Sequence, residues 1–129
     1  MRRFVRNFFG VIFAAVIFFD FANCSAEDLR FIDAKGDVGY YVDASTIQMV
    51  TDSIFFVDLA IIRASVNQMD VINLKIDYWA QTYSIQSVRT LSYDERTELK
   101  SDNTPRATAS YAKNSLIGDV ARFVIEGSI

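Results

Sequence analysis

The chain has 129 residues, 51% of them hydrophobic, and its 13 basic and 16 acidic groups give a net charge of −3. It contains no histidine and a single cysteine, Cys24. That inventory excludes Ser-His and Cys-His nucleophile systems, histidine-containing zinc sites and thiolate clusters.

Residues 1–26 read as a signal peptide. Arg2, Arg3 and Arg6 stand ahead of an apolar run from Phe8 to Phe19 that ends at Asp20. As a helix the run covers about 18 Å, short of the ~30 Å hydrocarbon core, so a signal segment fits better than a transmembrane helix. Two processing sites compete. Cleavage after Ala26, with Cys24 and Ala26 as the small residues, releases a domain that starts at Glu27. Alternatively, Phe21-Ala22-Asn23-Cys24 is a lipoprotein box and Cys24 is lipidated, although Asn23 is larger than the residue that position usually carries. An uncleaved anchor is the third alternative. Removal of residues 1–26 takes away Arg2, Arg3 and Arg6 but only Asp20, so the net charge moves from −3 to −5. A domain this acidic, without a basic run, argues against nucleic acid and against an anionic membrane surface.

The remaining residues, 27–129, suit one domain without a disulfide. Leu29 to Ile32 is a first short strand, and Asp33 to Asp37 is a turn in which Gly36 supplies positive φ. Val38 to Val42 is the second strand; Asp43 to Thr46 then leaves the sheet, and Thr51 to Ser53 breaks the chain again. Ile54 to Ala64 is long and rich in β-formers, as a central strand is. Ser65 to Asp70 connects it to a segment in which Val71, Asn73, Lys75 and Asp77 alternate with Ile72, Leu74, Ile76 and Tyr78. A strand over Thr82 to Leu91, a turn at Asp94 to Arg96 and a short strand over Thr97 to Lys100 follow. Ser101 to Thr108, with Pro105, reads as a loop.

The period then changes. Leu116, Val120, Phe123 and Val124 share one helix face, Ser115 is placed to cap it, Asp119 lies near its start and Gly127 can stop it. The expected fold is α+β: an antiparallel sheet of five to six strands with a C-terminal helix, residues 116–126, packed on one face.

Four stretches carry a resemblance. Asp28 to Ile32, Tyr40 to Ile47, Lys75 to Tyr78 and Ser115 to Ile125 are similar to the surface-adhesin protein E family, small exported envelope proteins of bacteria, many of them lipoproteins. The resemblance implies a six-stranded sheet with the helix on one face, dimerisation, and, for some members, adhesion to host matrix proteins. It also implies that the family's usual disulfide is replaced here by Tyr78 and Ile125, which should approach each other.

The chemistry that remains points to binding and away from catalysis. No catalytic, metal or cofactor site is expected, since Gly36 and Gly39 lack the third glycine and following helix of a phosphate loop. Asp94, Glu95 and Glu98 could gather a hard cation, but they read first as a solvated turn. Asp43 beside Ser45 reads as an Asx-type turn, and Lys113 near Ser115 reads as helix capping before a Ser-Lys dyad. The aromatic residues are the better lead: Tyr41, Trp79 and Tyr83 are the expected partner contacts, against the plainer reading that outward rings shield sheet edges. The expected role is an exported envelope or periplasmic module that binds an unidentified protein or a second copy of itself. Membrane contact comes only through the signal or a lipid on Cys24. A structural protein acting within its own assembly, and a hydrolase using carboxylates alone, are the alternatives.

Overall fold

The structure, a computed structural model, describes residues 26–127. Residues 1–25, on which the expected signal peptide and Cys24 fall, and the last two residues lie outside the described part. One antiparallel sheet contains β1 (Leu29–Lys35), β2 (Val38–Met49), β3 (Ile54–Arg63), β4 (Gln68–Asp77), β5 (Thr82–Ser92), β6 (Glu98–Asp102) and β7 (Ala109–Ser110). The first six cross the sheet in chain order, and β7 pairs with β5 beside β6. A 3-10 turn, Ala64–Val66, joins β3 to β4, and α1 (Leu116–Glu126) closes the fold.

The α+β class and the helix on one face agree with the sequence reading, but the sheet has seven strands where five to six were expected. The additional strand is β7, whose two residues are too few to show a period. Two turns also differ from expectation. Lys35 pairs with Val38, so the first hairpin turns on Gly36 and Asp37 alone, and β1 runs three residues past Ile32. Asp43 to Thr46 remains within β2, yet pairing with β3 lapses between Asp43 and Gln48. There the Asp43 carboxylate accepts bonds from the Ser45 amide and hydroxyl at 3.0 and 2.6 Å, which replaces the ladder by a local turn.

Four of the five reversals of the meander contain one residue in the left-handed region; the β2–β3 turn contains none. Gly36, Asn67, Gln81 and Arg96 have φ of 61°, 54°, 56° and 59° in the β1–β2, β3–β4, β4–β5 and β5–β6 connections. Only the first is glycine; each of the others carries a steric cost of roughly 1–2 kcal/mol.

Alternation sorts the apolar residues onto two faces. Val42, Phe55, Val57, Leu59, Leu74 and Ile76 form the main core, and α1 seats Val120 and Ala121 on it. The helix starts where Ser115 accepts the Gly118 amide at 3.1 Å and stops at Gly127, whose φ is 74°. Among the described residues no helix is long and apolar enough to cross a membrane.

The face away from the helix carries a second buried cluster, Ala60, Ile62, Met69, Val71 and Leu91, flanked by Leu29, Tyr41 and Tyr93. Curling of the sheet buries it. In a flat sheet β1 and β5 would lie roughly 19 Å apart, yet the Arg96 guanidinium just past β5 grips the Glu27 carboxylate just before β1 at 2.7 and 2.9 Å. The result is a concavity of about 480 Å³ over that cluster.

Gly118 shows how closely the chain crosses the helix. A Cβ there would stand 2.2 Å from the Lys113 carbonyl oxygen and 2.6 Å from that of Ala112. Both are backbone atoms, so Gly118→Ala must push the preceding segment off the helix. The expected loss in urea denaturation is about 1–3 kcal/mol, larger than the ~1 kcal/mol that alanine gains over glycine in a helix. A variant as stable as the parent would contradict this packing.

Candidate functional site

A cleft of about 400 Å³ opens between the β4–β5 turn and α1 and is lined by Tyr78, Trp79, Gln81, Tyr111, Lys113, Gly118, Arg122 and Glu126. The turn is rigid because Asp77, the last residue of β4, accepts the amides of Trp79 and Ala80 at 3.1 and 3.0 Å. The Tyr78 amide donates to the Ser53 carbonyl at 2.8 Å and ties this turn to the β2–β3 turn. Behind the cleft, the Tyr111 amide donates to the Gln81 carbonyl at 3.0 Å, fastening the segment after β7 to the same corner.

The helix supplies the opposite wall. Arg122 donates to the Lys113 carbonyl at 3.0 Å and also pairs with Asp119, so its guanidinium is committed to holding the 111–115 segment. Glu126, in the last turn, stands against the negative end of the helix dipole and accepts the Tyr78 hydroxyl. Among the described residues the Lys113 ammonium has no ion-pair partner, whereas all six arginines have one. The Tyr111 hydroxyl is buried without a hydrogen-bond partner. Burial raises its pKa, helped by the nearby Tyr78 and Asp77.

Of the expected contact residues, Trp79 alone lines this cleft, with 79% of its surface exposed. Tyr78, its neighbour in the turn, also lines the cleft but is partly buried and packs against the main core. Tyr41 lies on the helix-free face, its ring edge-on to Phe31 at 5.7 Å. Tyr83, paired with Ile76, packs against the core on the helix side. The three rings therefore do not form one surface. Cys24 lies outside the described residues.

Sequence reasoning missed Gln81, Arg122 and Glu126 as lining residues and met Lys113 only as a partner for Ser115. The Ser115 hydroxyl is instead occupied by the Ala112 carbonyl and the Gly118 amide. The resemblance pairs Tyr78 with Ile125; both pack against the main core, and the Tyr78 hydroxyl bonds to the neighbouring Glu126. The other carboxylates sit elsewhere: Asp94 accepts the Glu95 amide at 2.7 Å, and Glu98 faces Arg89 across the strands at 3.9 Å. Asp43 and Asp58 are cross-strand partners at the helix-free concavity, where Asp43 also accepts the Asp28 amide and Asp58 accepts Asn73.

No known protein family, curated protein or solved structure matches the chain.

The bond to Glu126 raises the Tyr78 pKa above the ordinary tyrosine value, with desolvation and the carboxylate charge adding to the effect. The folded state thus holds this proton more tightly than the unfolded chain does. Its contribution to stability is complete below about pH 10 and is lost as pH rises through the folded value. Tyr78→Phe is expected to remove one late-titrating phenol from the alkaline absorbance curve and to flatten the alkaline fall in melting temperature. An unchanged alkaline curve would contradict the Tyr78–Glu126 bond.

Proposed function

We propose that the chain is an exported, non-catalytic binding module of the bacterial envelope whose protein partner docks at the cleft between the β4–β5 turn and α1. The observation that carries this is Trp79. A large indole is held open to solvent on a turn fixed by two Asx bonds, beside a cleft walled by two tyrosines. Tryptophan left in this setting is a typical anchor of a protein interface.

Two further features support the reading. Met49 and Val50, at the end of β2 and the start of the adjoining turn, are also exposed, so apolar surface gathers at one end of the sheet. Two charged groups of the cleft serve structural bonds, which stiffens its walls: Arg122 holds the Lys113 carbonyl and Asp119, and Glu126 holds Tyr78. Export itself rests on the Arg2 to Phe19 leader, and the likeness to the surface-adhesin protein E family supports the same assignment to the envelope. A second copy of the chain is one such protein partner.

The test is co-purification from the cell envelope with the full chain and with Trp79→Ser, whose site is on the surface. The expected result is a retained protein whose affinity falls about tenfold or more in the variant, with the melting temperature unchanged. Equal retention by both chains would contradict the docking site.

A further inference from the structure

The charge left over in the cleft specifies its partner further. Arg122 is spent on Asp119 and the Lys113 carbonyl, and Glu126 is spent on the Tyr78 hydroxyl. Lys113 is then the one charged side chain of the lining without a counter-charge or bond among the described residues. It is a local positive point on a domain whose net charge is −5 once residues 1–26 are removed. The same lining holds the exposed indole of Trp79.

We infer that the occupant is a peptide segment carrying a carboxylate next to an apolar side chain, the carboxylate on the Lys113 ammonium and the apolar group over Trp79. This deepens the reading of the cleft as the docking site and rests on it. A cleft of about 400 Å³ admits a short segment and excludes a folded domain. The carboxylate can belong to an acidic side chain or to a chain end, since the chemistry offered to Lys113 is the same.

Trp79 is the only tryptophan of the chain, so its emission reports on the cleft directly. The full chain is titrated with a capped hexapeptide alternating leucine and glutamate, with its glutamine counterpart, with the glutamine peptide left uncapped at its C-terminus, and with oligogalacturonate. The glutamate peptide is expected to shift the emission and to bind roughly three- to fivefold tighter than the capped glutamine peptide. Lys113→Gln, an exposed and structurally neutral change, is expected to erase that difference while leaving the glutamine peptide unaffected. An uncapped glutamine peptide that matches the glutamate one supports the inference with a chain end as the source. Equal binding of the two capped peptides, tighter binding of oligogalacturonate, or no emission change with any peptide overturns it. Trp79-dependent capture of an envelope protein together with equal peptide binding would leave the docking site standing and remove only the acidic partner.

Discussion

The seat of α1 on the sheet is the constraint on which the rest depends. Val120 and Ala121 are fully buried on Phe55, Val57, Leu74 and Ile76, and without this cover one face of β3 and β4 would be open apolar surface. The same seat places Gly118 under the 112–113 backbone and Glu126 against Tyr78. The helix wall of the cleft is therefore a consequence of core packing, while the Asp77 bonds fix the turn opposite it. A binding surface built this way is pre-organised, because few groups remain to be ordered when a partner arrives.

The two faces of the sheet solve burial differently. One is covered by a helix and the other by curvature, with the Arg96–Glu27 pair holding the ends of the curl together. That pair is partly exposed, so it contributes little energy by itself and acts chiefly to fix geometry. Arg96 also stacks over Tyr93 at 5.1 Å, which keeps its side chain lying across the concavity.

The sequence made the regular elements readable wherever a period lasted. Alternation from Val71 to Tyr78 separates two faces that the structure reproduces, and the helix bounds follow from Ser115, the 3.6-residue spacing and Gly127. The curl was not legible, since Glu27 and Arg96 are 69 residues apart and neither has a local pattern. Nor was most of the cleft, whose lining comes from the β4–β5 turn, the segment after β7 and the helix. Tyr41, Trp79 and Tyr83 were singled out as amphipathic rings, but only fold geometry distributes them to three different places. Lys113 gained meaning only when Arg122 was seen to be engaged elsewhere.

The most direct test of the account is site-specific photo-crosslinking in living cells, with a photoreactive amino acid at position 79 or, as control, at position 66. Val66 is 65% exposed in the β3–β4 connection, at the other end of the sheet from Trp79. The account requires a discrete cross-linked envelope species from position 79 and none from position 66. Cross-links from position 66 alone, or equally from both, would contradict it.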